Sequence, residues 1–425
     1  MLKSKKLTLA LLINAALIST TFASEQSESK GFVEDANGSV LFRTGYLARD
    51  YKDVAPGIDT SSFAQTAIIK LDSGFTKGVV GFGAGIIGDA SFKLGENAHT
   101  DNQMIPTHND GSAYDHWARG GAYVKARVSN TTAKYGTQVS EIPVIASNTA
   151  RLTPEYYTGL YIESNEIKDL TLIGGKFTKN QWSNDISSDQ QNLDSAIFWG
   201  AKYKFNDQAN TSYYGVDVKD KLERHYANAN YSFAVPNDAN VTLDAVAYNT
   251  QWEAGARTGS HTTDNLADRE NTIWAVSATY NKDAHNVMLA YQDNAGNTGY
   301  DYGGNADGLQ SIYVPNSYLS DFVGNDEKSL GLQYNYNFKN HGLPGLNWTT
   351  AFVYGWDIDV RDQAKEGQER EFFNQVKYTV QSGFAKDASL RLRHSYYRAN
   401  DEYKSVYMPD TNEWRIWLDI PVKLF

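Results

Sequence analysis

The sequence predicts an all-β protein: a transmembrane antiparallel barrel of about 18 strands. Three observations carry that expectation. They are a terminal strand with one apolar and one charged face, a basic-apolar leader, and period-two segments that recur to the end of the chain.

The terminal strand is the clearest. Trp414, Ile416, Leu418, Ile420, Val422 and Leu424 share one face, while Arg415, Asp419 and Lys423 share the other. Side chains alternate along a strand, so this segment suits a boundary between lipid and a water-filled lumen. Phe425 falls on the polar parity, so the strand is expected to bulge or to end just before it.

Residues 1–23 read as a signal peptide. Lys3, Lys5 and Lys6 form the basic region, Leu7 to Ile18 the apolar region, and Thr21-Phe22-Ala23 the small-residue cleavage pattern. The apolar run is too short for a membrane-spanning helix. Residues 24–425 are then the barrel, exported to the bacterial outer membrane. The whole chain has a net charge of −11; removing the leader's three lysines leaves −14. That acidity argues against non-specific nucleic-acid binding. With no cysteine, neither a disulfide framework nor a thiolate site exists. Aromatic residues make up 13% of the chain, mostly tyrosine, enough for two interfacial girdles.

Alternating segments include Val40 to Arg49, Gly121 to Val128, Ile197 to Phe205, Thr272 to Tyr280, Val376 to Gln381 and Ala388 to Arg398. Helical periodicity is nearly absent and composition does not shift, which indicates one domain. Short turns such as Asn206-Asp207, Asn281-Lys282-Asp283 and Phe384 to Asp387 alternate with long polar insertions. Those lie near 94–118, 141–157, 184–195, 255–270, 297–326, 359–369 and 400–411. Short periplasmic turns and long outer loops are the barrel pattern. The insertion from Glu141 to Tyr157 contains Ile142-Pro143-Val144-Ile145-Ala146. So apolar a stretch is expected to fold back into the barrel and narrow its pore.

Several chemical motifs lose their force in this context. Gly83-Ala84-Gly85-Ile86-Ile87-Gly88 is a formal GxGxxG, but more strand follows it rather than the helix a nucleotide fold requires. Its glycines keep an inner strand face small, leaving room for a folded-in loop or a pore. His108, Asp110, Asp115 and His116 lie in a Gly/Asn-rich loop with no ligand-bearing helix. His394 and Ser395 are consecutive, hence on opposite faces, and no Gly-x-Ser-x-Gly elbow is present. No catalytic residues, metal site or cofactor are expected.

Cations give the stronger signal. Arg391 and Arg393 alternate with Leu390 and Leu392; Arg43 and Arg49 share parity on the first strand, and Lys125 and Arg127 on another. Lys377 and Arg415 point inward near the closure. Because first and last strands pair in a closed barrel, Arg43, Arg49, Lys377, Arg391, Arg393 and Arg415 are expected on one wall. Guanidinium groups hold carboxylates bidentately, so such a column can pass an anion from site to site. The competing reading is that these cations only balance lumenal acids. Leu41 and Leu47 on the same face make the separation imperfect.

The chain also resembles the OprD-type, or Occ, substrate-specific porins of Gram-negative outer membranes. The resemblance rests on Ser29-Lys30-Gly31-Phe32-Val33-Glu34-Asp35, Arg151-Leu152-Thr153-Pro154 and Asn316-Ser317-Tyr318-Leu319-Ser320-Asp321-Phe322. Gly342-Leu343-Pro344-Gly345-Leu346, Gly355-Trp356-Asp357-Ile358-Asp359, Val380 to Asp387 and Leu390 to Asn400 complete it. It implies an 18-stranded barrel with an inward-folded third loop and a ladder of basic residues. By motif, the ladder falls on Arg43, Arg49, Arg391, Arg393 and Arg415 with Lys377, and Arg127 is a further inward cation. Arg151 and Asp321 fall at the constriction, where Asp321 would hold a substrate's amino group. Leu319 stands where some relatives carry Tyr, which makes the acidic side more apolar.

The expected function is a selective diffusion channel for small carboxylate-bearing solutes, such as amino acids, aromatic or other organic acids and, as in some family members, carbapenems. The resemblance implies outer-membrane lipid and lipopolysaccharide, the barrel-assembly machinery and a monomer or loose homotrimer as its setting. A non-selective general porin is the first rival and a barrel hydrolase the second. A gated receptor needs a plug domain, for which a first strand near residue 39 leaves no room.

Overall fold

The computed structural model describes residues 24–95, 102–256, 269–302 and 311–425. The leader proposed for 1–23 and parts of the insertions at 94–118, 255–270 and 297–326 lie outside the described residues. The chain forms one closed sheet of 18 strands, each pairing antiparallel with its sequence neighbours, and β1 closing on β18. The first half comprises β1 Asn37–Tyr51, β2 Thr60–Asp72, β3 Val80–Lys93, β4 His116–Val128, β5 Thr131–Gln138, β6 Tyr156–Ile167, β7 Leu170–Gln181, β8 Ala196–Lys204 and β9 Ala209–Val218. The second comprises β10 Leu222–Val235, β11 Ala239–Trp252, β12 Arg269–Lys282, β13 His285–Gly296, β14 Lys328–Asn337, β15 Leu346–Ile358, β16 Gly367–Thr379, β17 Ser389–Ala399 and β18 Thr411–Lys423.

Parity behaves as the alternation predicts. On β18 Trp414, Ile416, Leu418, Ile420 and Val422 are exposed outward, while Glu413, Arg415 and Trp417 are buried inward. The strand stops at Lys423, before the out-of-phase Phe425. Aromatic rings contact one another near both ends of the outer surface: Tyr334, Tyr336, Phe338 and Trp348 toward one, Trp274, Tyr291, Tyr354 and Trp356 toward the other. Not all tyrosines serve such girdles. Tyr157, Tyr214, Tyr226, Tyr248 and Tyr300 are buried inside the barrel.

The strand ends that the seven long insertions connect lie at one end of the barrel, as do those joined by the short connections 52–59 and 219–221. Counted in chain order at that end, loop 2 is 94–115, loop 3 is 139–155, loop 4 is 182–195, loop 7 is 297–327 and loop 9 is 400–410. Loop 3 turns inward. Its Ile142, Val144 and Ile145 join a buried cluster with Phe177, Phe198, Tyr214 and Tyr248, covering apolar surface that would otherwise face water.

The glycines of β3 answer to a different neighbour than the expected loop. A Cβ at Gly83 would collide with Lys125, one at Gly85 with Tyr123, and one at Gly81 with Gln26. Their small face admits side chains of β4 and the N-terminal segment, not loop 3. Leu47, which breaks the polar parity of β1, is also accounted for. It is buried with Trp417, Met104 and Ile105 of loop 2 and Leu152 of loop 3.

Candidate functional site

Four consecutive strands, β16, β17, β18 and β1, bring the predicted cations together. Lys377 lies opposite Arg391, and Arg393 opposite both Gln375 and Arg415. Arg43 lies opposite Asp419, and Arg49 opposite Glu413. The six therefore form one inner wall, though their situations differ.

Three of them are held by two acids. Arg43 donates to Asp419 from Nε at 2.7 Å and Nη2 at 3.0 Å, and its Nη1 donates to the Arg151 carbonyl at 3.1 Å. Arg49 Nε donates to Glu413 at 2.8 Å, and Arg415 donates to the same carboxylate at 2.5 and 3.1 Å. Glu413 is fully enclosed between them.

The others are not. Arg393 lies over the Phe373 ring at 4.7 Å, but its Nε and Nη2 have no hydrogen-bond partner. Its register neighbour, Arg415, repels it, since like charges directly opposite are unfavourable. Arg391 and Lys377 make no ion pair among the described residues, and Lys377 is exposed in the lumen.

Arg127 is held elsewhere. On β4 it donates to Gln26 at 3.1 Å, lies 3.6 Å from Glu25 and covers the Phe75 ring at 4.2 Å. It ties the N-terminal segment to the turn end of the barrel, with β2 and β3 between it and the β1 wall.

Three of the six cations face a cavity of about 610 Å³. Arg49, Arg393 and Arg415 line one side; Arg151 of loop 3, Tyr318, Leu319 and Asp321 of loop 7, and Tyr407 of loop 9 line the rest. Arg151 is buried and donates to Gln103 at 3.0 Å. Asp321 accepts the hydroxyls of Tyr302 and Ser317. Burial raises its carboxyl above the ordinary value, while those two hydrogen bonds act to lower it. A carboxylate has about four acceptor positions, so two hydroxyls do not exhaust it.

Sequence reasoning missed the residue that places this boundary. Arg119, near the start of β4, is fully enclosed with Asp89 of β3. It donates to Asp89 at 3.3 and 3.0 Å, to the Pro154 carbonyl at 2.7 Å and to the Trp182 carbonyl. Tyr156 stacks against its guanidinium at 5.1 Å and donates to Asp89 at 2.9 Å. Loops 3 and 4 are thus pinned to the wall through one side chain. The parity of Arg119 with Tyr123 and Lys125 was the available signal.

Comparison with known proteins agrees with the fold. The family described as "outer membrane porin, OprD family" matches residues 30–424. Porin D of Pseudomonas aeruginosa is 33% identical, over 96% of this chain and 95% of its own length. The crystal structure of Acinetobacter baumannii OccAB1 is similar with a TM-score of 0.92 at 63% identity, covering 95% of this chain and 100% of that one. That of Pseudomonas aeruginosa OpdK with vanillate is similar with a TM-score of 0.81 at 25% identity, covering 92% and 100%.

Proposed function

This chain belongs to the OprD family of outer membrane porins, and on that premise we propose that it selects small solutes bearing a carboxylate. A porin passes solutes by diffusion, so selectivity comes from weak stations rather than from tight binding. The observation that carries the reading is Arg393, a cation at the cavity edge with two guanidinium nitrogens unpartnered. Removing a cation from water without hydrogen-bond partners is costly. A carboxylate arriving in the cavity relieves that cost through paired N–H donors.

The path runs from the cavity, past Arg393 and Arg391, toward Lys377. Arg43, Arg49 and Arg415 add positive potential while their acids restrain it, which keeps occupancy short. Tyr318, Leu319 and Tyr407 offer the solute's body an apolar surface. Asp321 is left to accept an ammonium group where the solute has one. The relative OpdK was crystallised with vanillate, which carries a carboxylate, and this supports the substrate class. We place the protein in the outer membrane as a monomer or loose trimer, inserted by the barrel-assembly machinery and surrounded by lipid and lipopolysaccharide.

Liposome swelling tests the proposal. Arg391→Ala combined with Arg393→Ala is expected to slow entry of a monocarboxylate such as benzoate about tenfold, at ~1.5–3 kcal/mol per charged hydrogen bond lost. Entry of a neutral sugar of similar size should change little. Equal loss for both solutes would remove the ladder from the mechanism.

A further inference from the structure

The outer face of the barrel carries charges that the transport path does not use. Outward cations of the strands gather at the loop end: Lys176 and Lys179 of β7, Lys328 of β14, Arg370 of β16 and Arg398 of β17. Two of them already have an acid, Lys328 donating to Asp357 at 2.8 Å and Arg398 lying 3.8 Å from Asp410. Arg370 stands opposite Arg398. Lys176 and Lys179 are exposed, and their ammonium groups make no ion pair or hydrogen bond among the described residues.

Sequence spacing alone would not put this pair on one face, because strand residues three apart point to opposite sides. The register with β6 slips here: Phe177 lies opposite Gly159 but Lys179 opposite Thr158, which leaves Thr178 as an extra residue. Such a bulge re-aims the side chains that follow it. Before the bulge Phe177 packs inward against Tyr157 at 5.1 Å; after it Asn180 turns inward and donates to Glu155 at 2.6 Å. Lys176 and Lys179 therefore both face lipid. Gly159 permits the close approach, since a Cβ there would collide with the Lys176 carbonyl.

The surface next to the pair is shaped. Lys176 lies between Leu160 and Ile197, and two residues nearer the turn end Gly174 lies between Ile162 and Trp199. The Trp199 ring leans away from Gly174, over Gly215 of β9, where a Cβ would collide with it. A Cβ on Gly174 would meet only the Phe198 carbonyl, at 3.7 Å. An open apolar slot thus runs from Lys176 toward the middle of the membrane. Acids do not fill its head. Asp194 of loop 4 is engaged by Lys219, Glu155 and Asp189 are held on Asn180, and Asp217 stands two strands away, opposite Ile197.

We propose that Lys176 and Lys179 bind the phosphate of an outer-leaflet glycolipid, one of whose acyl chains lies along Gly174. This rests on the outer-membrane placement given above. A cation on the lipid face of a barrel is costly at mid-depth and nearly without cost at the interface, where it attracts anionic head groups. Each ammonium brings three donors on a flexible stem, so both reach one phosphate. The order along β7 fits a lipid, with charge toward the loop end and the slot toward the interior. A free phosphate ion would use the lysines and leave the slot idle, which is why the occupant is a lipid. Snorkelling toward water would suit either lysine alone, but it gives no reason for a bulge that aligns two of them above an open slot.

Native mass spectrometry of the detergent-purified protein with bisphosphorylated lipid A tests the site. Lys176→Gln combined with Lys179→Gln should weaken binding about tenfold. Lys328→Gln, which removes an outward cation already engaged, should stay within about twofold of wild type. Gly174→Leu, which fills the slot without changing charge, should also weaken binding and serves should the double variant fail to fold. Heat-modifiable electrophoretic mobility reports folding for each. Dephosphorylated lipid A should bind the wild-type protein as weakly as lipid A binds the double variant. Equal lipid A binding by wild type and a folded double variant, or equal binding of the dephosphorylated lipid, overturns the proposal. Displacement of lipid A by millimolar inorganic phosphate would overturn the lipid as occupant. Membrane fractionation reads the placement separately. Wild type recovered in the outer membrane, with binding indifferent to the lysines, discards the site alone; recovery with the inner membrane discards the placement and the site with it.

Discussion

Arg119 and Arg393 are both inward-facing arginines on the barrel wall, and their surroundings are opposite. Arg119 spends its donors on Asp89, Pro154 and Trp182, with Tyr156 against its face. Arg393 faces another arginine across the strand pair and keeps two nitrogens without partners. The wall of β3 and β4 uses its cation to fix loops, whereas β17 holds one in reserve beside a cavity. A lumenal arginine is thus not evidence of transport by itself; the distinction lies in whether its donors are already engaged.

The largest expected effect comes from disrupting the satisfied site. Arg119→Ala leaves Asp89 enclosed without its partner, a change that typically costs about 3–5 kcal/mol. It should lower the guanidinium chloride midpoint of unfolding in detergent and also broaden conductance, because Pro154 and Trp182 lose a shared donor. A midpoint equal to wild type would erase the contrast with Arg393.

Arg393→Ala alone should shift the balance from stability to transport. It removes a cation with two unpartnered nitrogens and a like-charge contact with Arg415, but also the positive charge nearest the buried Glu371, so stability should fall by less than in Arg119→Ala. Benzoate block of the channel should weaken by several-fold up to about tenfold. Arg43→Ala should fall between the two. Its guanidinium is engaged with Asp419 and the Arg151 carbonyl, so its loss should loosen loop 3 and halve selectivity rather than remove it. Reversal potentials in a gradient of potassium benzoate would rank the three variants.

What could be read from the sequence follows from the period of a strand. Alternation placed Arg391, Arg393, Arg43, Arg49 and Arg415 inward, and barrel closure put them on one wall, because both depend only on local geometry and on β1 meeting β18. Ile142 to Ala146 showed loop 3 as inward for a comparably local reason, its apolarity. Which cation has an acid was not legible, since Arg43–Asp419 and Arg119–Asp89 depend on register between strands. The tyrosines divide for the same reason: Tyr334 and Tyr214 look alike in sequence, and only pairing shows that one faces outward and the other packs beside loop 3. The anchoring of Leu319 and Ser320 by Glu371 and Glu369 was further still from view, because it depends on how loop 7 folds back on the wall.

The smallest expected effect sharpens the comparison most directly, because it concerns a cation that parity alone assigns to the path. Arg127 shares the inward face of β4 with Arg119, but its contacts are Gln26, Glu25 and the Phe75 ring. The acid is half exposed, so the ion pair contributes about 0–1 kcal/mol at most. Arg127→Ala should therefore loosen the N-terminal segment, visible as faster proteolysis near Gln26, while carboxylate entry in the swelling assay stays at the wild-type rate. Were that rate to fall as far as in Arg393→Ala, engagement of the donors would no longer separate structural from transporting arginines. The path would then have to extend along β4 to the turn end of the barrel.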